Sequence, residues 1–178
     1  TSATVSDTSI YAEPNRAVIT GTDVPMVLQT YAEVEFLKAE AAQRGWTSGS
    51  AATHYNNGVK AAMQMLSQIY PNAAAITDAE VTAYLALKPY DATKGLQVIG
   101  EQYWAATLFN EYEAFSNWRR TGFPVLTPTN DPGNVTGGTI PRRLIWPMGE
   151  ESTNADNYKA AVAAQGANNF TTRVWWDK

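Results

Sequence analysis

A chain of 178 residues that is 44% hydrophobic and 17% charged has the length and apolar content for one folded domain, or two small ones, and is too apolar to be disordered. Thirteen Lys and Arg against seventeen Asp and Glu leave a net charge of −4 with no basic block, which excludes a typical nucleic-acid binder. Zero cysteines rule out disulfides, thiolate metal sites and cysteine nucleophiles, and no apolar run approaches the ~18–20 residues of a membrane helix.

The chain starts at Thr1 without an initiator Met or an apolar leader, so it reads as a cut through a longer protein, with a mature processed N-terminus as the alternative. Residues 1–25 are rich in Thr, Ser, Asp, Gly and Pro and predict a loop with one short strand near residues 17–20. A first helix is predicted over 27–44, stopping at Gly45, with Thr30 and Glu33 at capping-box spacing. A second runs over 50–69, ended by Tyr70-Pro71. Thr77 and Glu80 repeat the capping-box spacing and open a short helix through Leu87. The longest helix is predicted over 94–120, with apolar residues on every side, hence buried nearly all round. Gly122 and Pro124 end it. An extended surface loop rich in Pro, Gly and Asn follows to Gly138, then a short extended segment at 140–147, a last helix over 153–165 and an extended tail at 170–176. Residues 27–69 have the size of one tetratricopeptide-like helix pair, without a second copy at a fixed period.

The first helix carries a polar anomaly. With Tyr31 placed at 0°, Val27, Leu28, Val34, Ala39, Ala41 and Ala42 fall within about ±80°, and Glu35 and Lys38 fall in the same arc. Two readings follow: a partly buried ion pair meeting further charges such as Arg119 or Arg120, or a helix rotated so that this rim faces water.

The search for chemistry returns little. His54 is the only histidine, so no multi-histidine metal centre is possible, and P-loop, dinucleotide, zinc-protease and nucleophile-elbow motifs are absent. No catalytic residue, cofactor site or metal site is assigned. Paired carboxylates of a glycosidase have no positive sign among Glu33, Glu35, Glu40, Glu111, Glu113, Glu150 and Glu151. Residues 130–134 carry oxygen ligands without calcium-loop spacing and read as a plain turn.

Several strings taken in order carry a resemblance. Tyr31-Ala32-Glu33-Val34-Glu35-Phe36-Leu37-Lys38-Ala39-Glu40-Ala41, Arg44-Gly45-Trp46, His54-Tyr55-Asn56-Asn57-Gly58-Val59, Trp118-Arg119-Arg120-Thr121-Gly122-Phe123-Pro124, Ile140-Pro141-Arg142-Arg143-Leu144 and Val174-Trp175-Trp176-Asp177 resemble the C-terminal part of the SusD/RagB-like family, nearest to SusD-like group two. The resemblance implies an all-α fold of tetratricopeptide-like helix pairs with long irregular loops. Residues 1–178 would be the C-terminal part of the nutrient-binding domain: a linker over 1–25, a helical core over 26–122, and loops with one helix over 123–178. It implies non-catalytic capture of glycan, oligosaccharide or peptide at the surface of the Bacteroidetes outer membrane, for delivery to a TonB-dependent, SusC-like transporter. An N-terminal remainder bearing the lipid anchor is expected to pack against these helices, and Arg119, Arg120, Arg142 and Arg143 to brace helix ends and loops. Binding an acidic ligand is the alternative role for those arginines.

The aromatic share of 11% supplies rings for a core or for stacking on sugar faces. Trp46, Tyr70, Tyr90 and Phe123, at loops and helix ends, are the candidate ligand-binding aromatics, with a core role as the competing reading. Two other functions stay open: an all-helical glycoside hydrolase or lyase, and a tetratricopeptide-like protein scaffold. Separately, the all-round apolar helix predicts a large exposed apolar patch where the N-terminal remainder would dock.

Overall fold

The computed structural model describes residues 14–19 and 23–177. Eight α-helices and one short 3-10 turn make up the regular structure of that region, and no strand occurs among the described residues. The order is α1 (Arg16–Ile19), α2 (Tyr31–Gln43), α3 (Ala51–Ile69), α4 (Asp78–Leu87), a 3-10 turn (Ala92–Lys94), α5 (Gly95–Ala106), α6 (Glu111–Thr121), α7 (Glu150–Thr153) and α8 (Ala155–Gln165). The strand expected near residues 17–20 is instead the short helix α1; Thr20 and residues 1–13 and 21–22 lie outside the described region.

Caps set the helix starts. Thr30 accepts the Glu33 backbone N–H at 3.1 Å while Glu33 Oε1 accepts from the Thr30 backbone at 3.1 Å, so α2 begins four residues later than the apolar pattern predicts. Thr77 and Glu80 make the same reciprocal cap for α4, and Ser50 caps α3. The single helix expected over 94–120 is two helices. Thr107 Oγ1 bonds back to the carbonyls of Tyr103 and Trp104, the chain turns over 107–109, and Asn110 Oδ1 accepts from the Glu113 N–H to start α6. The all-round apolar pattern is therefore the sum of two helices, each with its own buried face. Gly122 closes α6 at φ +77°, a backbone setting that favours glycine. The tail does not stay extended over 170–176 but turns at 170–171 and 175–176.

One core joins α2, α3 and α5. Ala32, Phe36 and Ala39 of α2 meet Tyr55 and Val59 of α3 and Ile99 and Tyr103 of α5. The Phe36 ring sits 6.3 Å from Tyr55 and 6.2 Å from Tyr103 between ring centroids, and Gly58 leaves the space it fills. The buried face of α2 is centred on Ala32, Phe36 and Ala39, not on Tyr31, which is 62% exposed. The apolar arc around Tyr31 and Leu28 is not the inner face, because that face also carries Glu33, Glu35 and Glu40, all buried.

Cations hold the second half of the chain. The Arg119 guanidinium lies 4.3 Å from the Phe115 ring centroid and 4.5 Å from that of Trp176, and its Nη1 donates to the Arg142 carbonyl at 2.7 Å. Arg142 stacks over Trp118 at 4.2 Å and reaches Asp177 Oδ1 at 3.1 Å, which Arg173 also contacts at 3.1 Å. Arg143 covers Trp146 at 4.4 Å. On the same side, Leu108 is 64%, Trp104 42% and Phe115 38% exposed, beside an apolar hollow of about 330 Å³ shared with Trp118, Leu126 and Ile140.

Candidate functional site

The N-terminal end of α2 and the outer face of α3 enclose a groove of about 480 Å³. Asn57, Lys60, Gln64 and Gln68 recur on α3 at i, i+3, i+7 and i+11, the spacing of one helix face, and all four line it. Tyr31, the first residue of α2, adds an exposed aromatic ring. Val27, Ala61, Met65 and Ile69 supply apolar surface.

Beside this groove lies a buried carboxylate. Glu35 is 2% exposed and takes three hydrogen-bonding partners: Lys38 Nζ at 2.9 Å, His54 Nδ1 at 2.8 Å and Asn57 Nδ2 at 3.3 Å. Burial alone would raise its pKa, but the hydrogen bonds from His54, Lys38 and Asn57, with a smaller lowering from the nearby Tyr31 side chain, outweigh it and hold the carboxyl at about 2. Asn57, one of those partners, and Tyr31 also line the groove. Lys60 is neutralised by Asp78 Oδ1 at 2.9 Å, which Gln64 Nε2 contacts too at 2.8 Å.

The charged residues singled out in the sequence separate into two clusters. Glu35 and Lys38 do pair with each other, with Lys38 half exposed, but neither Arg119 nor Arg120 reaches Glu35. Arg120 instead clamps Glu40, Nη1 to Oε1 at 2.5 Å and Nη2 to Oε2 at 2.7 Å, and Arg44 joins at 2.8 Å. Burial would raise the Glu40 pKa; the two arginines overcome this and lower it. Arg119 has backbone and ring partners in place of a carboxylate.

The four candidate aromatics do not form one stacking platform. Tyr70 is buried and offers no face to a ligand. Tyr90 packs on Tyr55 at 5.6 Å and donates its hydroxyl to Gln43 Oε1. Phe123 is half-buried, with its Cβ against the Gly100 backbone. Tyr70, Tyr90 and Phe123, just past helix ends or ahead of the next element, fold back towards the core. Trp46 is 71% exposed, under the Arg44 guanidinium at 5.2 Å. Tyr31, Asn57, Gln64 and Gln68 line the groove without having been among the sequence candidates, and the regular amide spacing along α3 is the signal that marks their face. Among the described residues no group of three His, Asp or Glu side chains could hold a metal ion, and no helix is long and apolar enough to cross a membrane.

With that geometry in place, comparison with known proteins gives its bearing. A family model described as starch-binding associating with outer membrane, SusD-like group two, matches residues 2–147. A solved chitin-binding protein is 44% identical, with a TM-score of 0.75 over 83% of this chain and 32% of its own. A Bacteroidetes SusD-like protein is 38% identical, with a TM-score of 0.79 over 88% of this chain and 31% of its own. A chitin-binding SusD homologue from Flavobacterium johnsoniae is 28% identical, with a TM-score of 0.61 over 83% of this chain and 36% of its own. The chain thus spans about a third of the length of these structures. No curated protein sequence matches it.

Proposed function

The chain belongs to the SusD-like family of starch-binding proteins associated with the outer membrane, and from that premise we propose that it takes part in non-catalytic capture of a glycan at the cell surface. The observation that carries this reading is the 44% identity to a chitin-binding protein over most of the chain. A chito-oligosaccharide is accordingly the ligand to try first. Captured glycan would pass to a TonB-dependent, SusC-like transporter in the outer membrane. Catalysis has no support in the site: the one histidine is engaged by Glu35, and cysteine is absent.

The polypeptide is proposed to work with an N-terminal remainder, lipid-anchored, that would seat on the apolar face around Trp104, Leu108 and Phe115. The length of the relatives and the exposure of those three side chains support this. Isothermal titration with chitohexaose, run beside an assay for new reducing ends, tests the function. Saturable binding without cleavage supports it. Absence of binding, or cleavage abolished by changing one carboxylate, refutes it.

A further inference from the structure

The geometry points to the α2–α3 groove as a subsite for a short, uncharged, N-acetylated oligosaccharide, with Tyr31 as its stacking ring and Glu35 as the residue that positions its walls. This rests on the reading of glycan capture above and assigns it a place.

The groove has the volume of a small-ligand site, within the ~300–1,000 Å³ such sites occupy. Its charge is balanced internally. Lys60 is paired with Asp78, and neither Asp nor Glu lines it. With its one cation already paired and no acid in its lining, the groove favours a neutral sugar over a uronic or sulfated one. A neutral sugar needs acceptors for hydroxyl and acetamido N–H groups, and the amides provide them. Asn57 commits its Nδ2 to Glu35, which leaves Oδ1 as an acceptor. Gln64 commits its Nε2 to the Ile76 carbonyl at 3.2 Å and to Asp78, which leaves Oε1 in the same condition. Ala61, Met65 and Ile69 offer the apolar contact an acetamido methyl requires.

Tyr31 is the aromatic element. Tyr55, Tyr70 and Tyr103 are buried, whereas Tyr31 keeps 62% of its surface open at the groove. It lies close enough to Glu35 to help lower that carboxyl's pKa, and its exposed ring is available to a sugar ring. Glu35 touches no ligand in this account. It holds Asn57 Nδ2 from behind at 3.3 Å and stands next to Tyr31, and preorganised walls spare the ligand the ordering they would otherwise require.

The test is titration of chitotriose and chitohexaose into the polypeptide that carries these residues and into its variants, with circular dichroism to confirm folding. Tyr31→Ala is expected to weaken binding roughly tenfold and Asn57→Ala about fivefold, while Tyr112→Ala, an exposed tyrosine elsewhere, leaves it unchanged. Glu35→Gln is expected to weaken binding in the parent but not in the Tyr31→Ala background, a coupling that general loss of stability does not produce. Tetragalacturonate, an acidic control, is expected not to bind. Parent binding that survives Tyr31→Ala and Asn57→Ala overturns the groove and leaves glycan capture standing. Equal affinity for tetragalacturonate overturns the selectivity for neutral sugar. A parent that binds neither chito-oligosaccharide overturns both the groove and the functional reading.

Discussion

Replacing Gly58 by alanine sets two effects of comparable size against each other. In the interior of a helix such as α3, alanine is favoured over glycine by about 1 kcal/mol. The added Cβ, however, would stand 2.7 Å from Phe36 Cε1, 2.8 Å from Cδ1 and 3.0 Å from Cζ. Carbon atoms in a well-packed core prefer about 3.5–4.0 Å, so the ring must move by most of an ångström. It has no room, being 1% exposed and held between Tyr55 and Tyr103. Overpacking of this kind costs about 1–3 kcal/mol. The contact wins, and Gly58→Ala is expected to destabilise by about 1 kcal/mol net, or a few degrees in Tm. Urea unfolding followed by far-ultraviolet circular dichroism measures it. A second variant isolates the cause: in a Phe36→Leu background, with the ring edge gone, Gly58→Ala should be neutral or stabilising. A Gly58→Ala protein as stable as the parent, with no coupling to position 36, would refute the close-packing argument.

Three further outcomes are expected. The Glu35 carboxyl sits below its ordinary pKa, so the stability it lends is present above pH ~4.5 and is lost as pH falls towards 2; Glu35→Gln should therefore lower stability at pH 7 and give a shallower acid limb in a pH series of melts. Arg120→Ala strips Glu40 of a bidentate partner but leaves Arg44 on it, and should destabilise by about 1–2 kcal/mol, with Arg120→Lys recovering less than half, as read by urea unfolding. The chain on its own should associate through Trp104, Leu108 and Phe115, and Leu108→Lys should shift it towards monomer on size exclusion; a parent that elutes as a compact monomer would count against a docked remainder.

Local signals were legible where one side chain decides the matter. Thr77 fixed a helix start and Gly122 a stop, because a cap needs only neighbours three or four residues away, whereas at Thr30 the same signal was overridden by the apolar pattern that begins at Val27. The break at 107–110 was written in the same code, as Asn110 and Glu113 at capping distance, but a continuous apolar pattern masked it. Tertiary pairing was less legible. Glu35 stands out as a charge on an apolar arc and Glu40 as an ordinary helix carboxylate, and only the fold decides that His54 and Lys38 meet one and Arg120 the other. The groove was hidden for a related reason: polar spacing along α3 marks a face, but whether that face is open or covered depends on where α2 begins.

The Glu40–Arg120 clamp joins residues 80 positions apart, and this separation bears on the order of assembly. Closing a loop of that length in a flexible chain costs about 4 kcal/mol beyond a constant, more than one ion pair returns. The α2–α3 pair, linked by a short turn, has no such barrier and can form first. The clamp then belongs to a late event, the seating of α6 after α5 has docked. Loss of Arg120 should consequently leave the folding limb of a chevron almost untouched and steepen escape from the native state, making this contact a determinant of how long the fold survives rather than of how quickly it is reached.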